Sequence, residues 1–374
     1  MKKLGKPITT HMADLRFLAY IAIVLIFGLI MLTSASAVIG FDQFSDQYFF
    51  VKRQILYGVL PGLVLFLFFV KLPYQFLRSV GSLFFWGAVV LSILVLIPGV
   101  GSSFGTGAQS WIVLLGFSLQ PSELMKLGLI FFLSAQLVAY KDKLHSIKEG
   151  IFPLLALAIA PILLVILQPD IGTAFILFGV MFGLLFVAEV RLSYLSALAL
   201  VAVVAFGILI AVAPYRAARF TVFLHPELDA QGIGYHINQA ELAIGSGGVF
   251  GRGLGHSRQK FQYLPEVHAD SIFAVVAEEM GYIFVIIFLS LLGVITQRGL
   301  HIAKGAPDPF ARYIVSGIIL WFLVQSMMNI GAMVRLLPLT GVPLPFVSHG
   351  GTALAIALAG VGIIANISKQ TTSV

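Results

Sequence analysis

Several ionisable residues in this sequence lie where ions are costly, inside or beside long apolar runs. Asp270 closes the stretch Leu264–Asp270 and directly precedes an apolar segment. A carboxylate there can cap a helix N-terminus, a position that suits Asp. It can also act as a general base, taking the proton of a hydroxyl held within hydrogen-bond reach. The two roles pull its pKa apart, since a helix N-terminus favours the anion and loss of water disfavours it. Glu278 and Glu279 follow in the same apolar run, and ions inside a span are functional candidates by default. On one continuous helix Asp270 and Glu278 lie about 80° apart and Glu279 about 180° from Asp270, so the three acids cannot face one point. Asp270 and Glu278 can line one cavity, leaving one Glu as a structural partner. Glu123 and Lys126 are spaced i, i+3 on one helix face. They either pair with each other, or Lys126 reaches a carboxylate on another helix, such as Asp270. Asp170, after Gln168-Pro169, is a further polar intrusion.

The basic residues suggest what such a base would work on. Arg216, Arg219, Arg252, Arg258 and Lys260 all fall in one long segment, 214–270. Guanidinium groups grip phosphate oxygens in a bidentate way, so a membrane substrate with phosphate at the interface fits them. Attraction to anionic lipid headgroups is the plainer alternative. Segments this long without structure are uncommon in compact domains, and the aromatic residues Phe220, Phe223, Tyr235, Phe250, Phe261 and Tyr263 argue against disorder. The run from Ile244 to Gly255 is glycine-rich, which permits tight turns and close approach to a ligand. A glycine-rich hairpin is the bland reading. The run is no Walker loop, since no Gly-Lys-Ser/Thr follows.

These residues need a scaffold, and composition names it. Of 374 residues 59% are hydrophobic and 10% charged, against roughly 25% charged in soluble domains. Lipid is the natural solvent for such a chain. Spans of ~20 apolar residues fall at 16–38, 53–71, 78–98, 121–140, 151–168, 170–189, 193–213, 271–297, 311–335 and 345–367. The boundary at Gln168–Asp170 divides either two spans or a broken pair. The prediction is an all-α polytopic membrane protein of about ten helices, forming a single transmembrane domain over 1–374. The apolar run Phe17–Leu32 is too long for a signal peptide and reads as an uncleaved first helix. Lys and Arg fall in excess on the side that holds both ends of the chain, among them Lys2, Lys71, Lys141 and Arg298, which predicts cytoplasmic termini and 214–270 on the extracytoplasmic side. The +7 net charge thus reads as topology, not nucleic-acid binding. The absence of cysteine excludes disulfides and thiolate sites.

Taken in order, the motifs resemble the SEDS family of shape, elongation, division and sporulation proteins. They are Leu32-Thr33-Ser34-Ala35-Ser36; Trp111; Gln120-Pro121-Ser122-Glu123-Leu124-Met125-Lys126; Gln168 to Ala174; Tyr215-Arg216-Ala217-Ala218-Arg219; the glycine run; Leu264 to Asp270; Ala277-Glu278-Glu279-Met280-Gly281; and Pro343 to Gly351. The run Gly253 to Lys260 with Tyr263-Leu264-Pro265-Glu266 is more similar to the division branch, FtsW, than to the elongation branch, RodA. The chain also departs from the family pattern. Ser110 stands where an Arg often precedes the tryptophan. Tyr235-His236 replaces Tyr-Gln, His268-Ala269-Asp270-Ser271 replaces His-Thr-Asp-Phe, and Ser348-His349-Gly350-Gly351-Thr352 replaces Ser-Tyr-Gly-Gly-Ser.

The resemblance implies an inverting peptidoglycan glycosyltransferase in the bacterial cytoplasmic membrane. Its substrate would be lipid II, a disaccharide-pentapeptide on undecaprenyl pyrophosphate. It implies Asp270 as the base on the acceptor hydroxyl, with Glu123 and Lys126 orienting substrate or setting the pKa of Asp270. Arg216, Arg219, Arg252 and Lys260 would stabilise the departing pyrophosphate, and Trp111, Glu266, His268 and Ser348 would contact substrate. A divalent cation on the pyrophosphate is compatible with this chemistry, though no specific ligand set calls for one. The implied partners are a class B penicillin-binding protein (a transpeptidase), other divisome proteins and membrane lipids. A lipid II flippase is the competing class. Many transporters carry internal repeats with paired broken helices, and the long segment 214–270 has no counterpart in the other half. A pure scaffold for the transpeptidase leaves the buried acids without a role.

Overall fold

The computed structural model describes residues 12–102, 110–114, 117–212, 214–229 and 231–371; Lys2, Lys3 and Lys6 lie outside them. The helices are α1 (Leu15–Phe44), α2 (Phe49–Lys71), α3 (Tyr74–Val95), α4 (Pro121–Ala139), α5 (Ile147–Leu167), α6 (Ile171–Val187), α7 (Leu192–Val212), α8 (Pro214–Leu224), α9 (Ile233–Ser246), α10 (Ile272–Lys304), α11 (Pro309–Met333) and α12 (Gly351–Ser368). Among the described residues nine are long and apolar enough to cross a membrane, and α6, at 17 residues, is a shorter apolar helix. Together these match the predicted set. At Gln168–Asp170 the chain does break: Asp170 caps α6 by accepting the Thr173 N–H at 2.9 Å. A three-stranded antiparallel sheet, β1 (Gly101–Ser102), β2 (Trp111–Leu114) and β3 (Phe117–Leu119), joins α3 to α4. Thr352 Oγ1 donates to Ser118 O at 2.9 Å, tying the sheet to the start of α12.

Burial sorts the bundle. In its most apolar window α12 is 83% buried and α7 only 6%, so α12 is a core helix and α7 an outer one. Small residues let core helices close up: a Cβ on Gly362 would stand 2.6 Å from Phe66 O of α2. Several polar side chains in the core find partners inside the protein, because hydrocarbon supplies none. Gln54 donates to Ser348 O at 3.1 Å and accepts from Gly350 N at 2.9 Å, fixing the turn before α12.

Segment 214–270 is not the loop the sequence suggests. It holds the amphipathic helix α8, a 3-10 turn at Pro226–Asp229, and α9. Arg335, at the end of α11, donates to Phe223 O and Leu224 O and pairs with Glu241, holding α8 and α9 together.

The glycine run after α9 has a structural task. Helix α10 breaks at Gly281, which takes φ +77°, ψ 178°. The break frees backbone groups on both sides, and the glycine run satisfies them. Arg252 N and Gly253 N donate to Glu278 O and Glu279 O at 3.0 and 2.9 Å; Tyr282 N and Ile283 N donate to Gly248 O and Val249 O at 2.9 and 3.2 Å. The two glutamates on this turn then hold residues 255–260. Glu278 accepts from Ser257 Oγ at 2.5 Å and Arg258 N at 2.9 Å, and Glu279 from Lys260 Nζ at 2.9 Å and Ser34 Oγ at 2.8 Å. The helical wheel that turned Glu278 toward Asp270 is thereby corrected: α10 starts only at Ile272, and Glu278 faces the glycine segment.

Two outcomes test this anchor. Gly281→Ala would put a Cβ 2.1 Å from Gly251 N in a backbone region that costs about 1–3 kcal/mol for a non-glycine residue. It should sharply lower the thermal midpoint in detergent, whereas Gly293→Ala, with open space around it, should not; equal effects would contradict the stitched break. Lys260→Met leaves Glu279 without its cation, a loss of about 3–5 kcal/mol for a buried pair. Lys260→Met/Glu279→Leu should be less destabilised than the sum of its single variants.

Candidate active site

Asp270 is held by its backbone. Ala269 N and Ser271 N both donate to Glu266 O, at 2.9 and 3.3 Å, closing a tight turn on Glu266, whose φ is +49°. Asn329 of α11 donates through Nδ2 to Asp270 O at 2.7 Å and to Val342 O at 2.8 Å, clamping the acid between α11 and the segment before α12. Its carboxyl is nearly buried. Ser271 occupies the N-cap position, and no side chain caps α10; the capping role proposed for Asp270 is therefore not filled. Burial pushes its pKa up to about 7, with the Glu266 carboxylate adding to the rise. A carboxylate tuned there suits proton abstraction near neutral pH.

His268 packs at a tilt against Phe50 with ring centroids 4.2 Å apart and lies 5.8 Å from the ring of His349. His349 N donates to His268 O at 2.8 Å. Burial lowers both imidazoles below the usual value, His349 to about 4, so His349 is neutral at pH 7. Glu266 is exposed, with one oxygen 3.8 Å from His268 Nε2. Glu266, His268 and Asp270 thus share one turn.

Glu123 and Lys126 form a buried pair at 2.7 Å. Lys126 also donates to Gln325 Oε1 at 2.9 Å and sits 5.1 Å from the ring centre of Trp321. Gln325 in turn accepts from Trp321 Nε1 and donates to Pro343 O. The mutual pair is the arrangement realised, not a bond from Lys126 to Asp270. Both members lie within electrostatic reach of Asp170.

Three of the substrate contacts expected from the sequence need revision. Lys260 is buried, and its Nζ donates to Ser34 Oγ, Gly255 O and Glu279 Oε1. An ammonium has three N–H groups, so none is left for a pyrophosphate. Arg252 donates to Ser246 O and lies 3.5 Å from Glu278, while remaining partly exposed. Ser348 is buried and its hydroxyl accepts the Leu344 N–H at 2.8 Å, closing its own turn. Arg219 is exposed on α8. Arg216 lies on the same helix, its side chain outside the described residues. Trp111 begins β2, opposite Ser102. Among the described residues no group of three His, Asp or Glu side chains is placed to hold a metal ion.

Sequence reasoning passed over Gln325 and Asn329, which do much of the positioning. Trp321, Gln325 and Asn329 recur every four residues, one polar stripe along α11, and that spacing was the available signal.

The geometry has close counterparts among known proteins. The family model described as cell cycle protein, for FtsW, RodA and SpoVE, matches residues 15–373. Stage V sporulation protein E of Bacillus subtilis (strain 168) is 40% identical over 358 residues, covering 96% of this chain and 97% of that protein. A probable peptidoglycan glycosyltransferase FtsW of Trichlorobacter lovleyi is 37% identical over 365 residues, covering 98% and 95%. A solved chain from work on the structural coordination of polymerization and crosslinking by a peptidoglycan synthase complex superposes with TM-score 0.78 at 26% identity, covering 96% and 98%. The rod shape determining protein RodA of Thermus thermophilus does so with TM-score 0.71, also at 26% identity and the same coverage. The order of motifs and the helical bundle converge with these matches: the chain belongs to the FtsW, RodA and SpoVE family of cell cycle proteins, the SEDS proteins.

Proposed function

We propose that this protein is a peptidoglycan glycosyltransferase that polymerises lipid II, acting with its Asp270 end on the extracytoplasmic side of the bacterial cytoplasmic membrane. The observation that carries the reading is Asp270: one nearly buried carboxyl, clamped by Asn329, with a pKa raised to about 7. The FtsW relatives named as probable peptidoglycan glycosyltransferases support the reaction.

In this reaction Asp270 takes the proton of the acceptor GlcNAc 4-hydroxyl as that oxygen attacks C1 of the donor MurNAc. The C1–O bond to the lipid pyrophosphate breaks, configuration inverts, and undecaprenyl pyrophosphate leaves with the bonding electrons. A direct displacement with so good a leaving group needs one base and not a hydrolase's pair of carboxyls. Arg219 and Arg216 on α8 meet the developing phosphate charge; Lys260 is excluded by its own bonds. Glu123 and Lys126 hold Gln325, and through it the Pro343 carbonyl, so they act on the site from within the bundle. We assign the partner to a class B penicillin-binding protein, since the polymerising neighbour in structure belongs to a complex that also crosslinks. Other divisome proteins follow from the similarity to FtsW.

Asp270→Asn should abolish glycan strands from purified protein given lipid II, with the cognate transpeptidase present, while leaving the fold intact. Undiminished strands would remove Asp270 from the mechanism. Translocation of lipid II in liposomes, scored separately, distinguishes a flippase. The base must be ionised, so the wild-type rate should rise through pH 7 and stand roughly tenfold below its plateau at pH 6. Stability should run the other way. Between the ordinary value of 3.8 and about 7 the folded acid keeps a proton that the unfolded chain has released, so Asp270 lowers stability as pH rises through that window. Asp270→Asn should therefore raise the thermal midpoint above pH 7 and lose that advantage toward pH 4.

A further inference from the structure

Two departures from the family pattern, His236 and Ser271, meet in space. His236 on α9 places Nε2 2.5 Å from Ser271 Oγ, and Ser271 Oγ stands 3.5 Å from Asp270 Oδ1. We propose that His236 is a positioning residue for Asp270, acting through Ser271. Its Nε2–H donates to Ser271 Oγ, which turns the Ser271 hydrogen toward the Asp270 carboxylate and holds that carboxylate as the anion. The inference rests on Asp270 being the base.

The chemistry of the three groups leads to this polarity. A serine hydroxyl has one hydrogen and two lone pairs; once it accepts from an imidazole, its single hydrogen is free for the carboxylate. His236 is half-buried, and burial lowers its pKa to about 4. It is thus neutral at pH 7, with one N–H to donate and little tendency to accept the reaction's proton. The 3.5 Å separation is at the outer limit for a hydrogen bond, and catalytic bonds of this kind shorten as substrate closes the site. Ser271 has no competing duty, for it occupies the N-cap of α10 without a capping bond.

The charges around Asp270 give the chain something to oppose. Glu266 and His268 share its turn. His236 comes from α9 and His349 from the segment before α12. Arg335, just past α11, and Glu241 of α9 are paired with each other, and burial lowers both His268 and His349, leaving His349 neutral at pH 7. Glu278 and Glu279, on α10 itself, are turned to the glycine segment. Burial and Glu266 both disfavour the Asp270 anion, and Ser271 is the side-chain donor set against them.

The test uses the full chain with its transpeptidase. It reads the pH profile of lipid II polymerisation and, independently of turnover, the infrared titration of the Asp270 carboxyl, identified by difference from Asp270→Asn. Ser271→Ala and His236→Phe should each move both midpoints to higher pH by half a unit or more, lowering the rate at pH 7 about twofold or more while sparing the high-pH plateau. Ser271→Ala/His236→Phe should move them no further than Ser271→Ala alone. His236→Gln, whose amide can donate the same bond, should restore the wild-type midpoint. The proposal is overturned by unmoved midpoints in folded single variants, by shifts to lower pH, by additive shifts in the double variant, or by His236→Gln behaving like His236→Phe. Activity retained in Asp270→Asn with the infrared shifts present would sink the base and leave the positioning chain standing. An inactive Asp270→Asn with no shifts in the other variants would do the reverse.

Discussion

Hydrocarbon offers no partner to a backbone N–H or C=O, and the structure around Asp270 depends on how this chain meets that constraint at Gly281. A long helix cannot break inside a bundle unless another strand of backbone takes over the lost bonds. Residues 248–253 do so, donating to the carbonyls above the break and accepting from the amides below it. Only glycine tolerates the contact, since the two backbones approach too closely for a Cβ. Once the break is stitched, the short upper part of α10 becomes a platform. Asp270 stands at its entrance, and Glu278 and Glu279 project from its end into residues 255–260.

The ionic interactions divide along the same line. Some of the buried charges serve architecture: Glu279 with Lys260, Glu278 with Ser257 and the amides beyond it, Glu123 with Lys126. Each of these carboxylates has a cation or a set of donors against it, as a buried ion requires. Asp270 is treated differently. Its main chain is clamped while its carboxyl receives only one distant side-chain donor. Firm placement combined with a poorly stabilised anion is the condition under which a carboxylate becomes a useful base.

Composition and apolar run length sufficed for the helices, because each span must satisfy its own backbone and so leaves an unbroken run. Asp270 stood out too, as an acid next to an apolar segment, but not the turn on Glu266 that holds it. The roles of Lys260, Glu278 and Glu279 were not legible either. A helical wheel assumes continuous helix, and Gly281 inside Met280-Gly281-Tyr282 gives no warning that φ turns positive there. Likewise Lys260 looks like any interfacial cation until Ser34, far away in the chain, is seen to join its pair. Segment 214–270 read as a loop because its glycine and polar content masks the amphipathic helix α8, which lies against the bundle and does not cross it.

The clamp on Asp270 also fixes when the site comes into being. Chains are made from the N-terminus, and their parts settle in that order. Every partner of Glu278 and Glu279 named here, from Ser34 to Lys260, precedes them in the chain, so the platform can close as soon as α10 is inserted. Asn329 and Val342 come later. A nascent protein at that stage already has its ions neutralised, yet its acid is unheld. Assembly thus separates safety in the membrane from competence for reaction, and the second is conferred only once Asn329 and Val342 have been made.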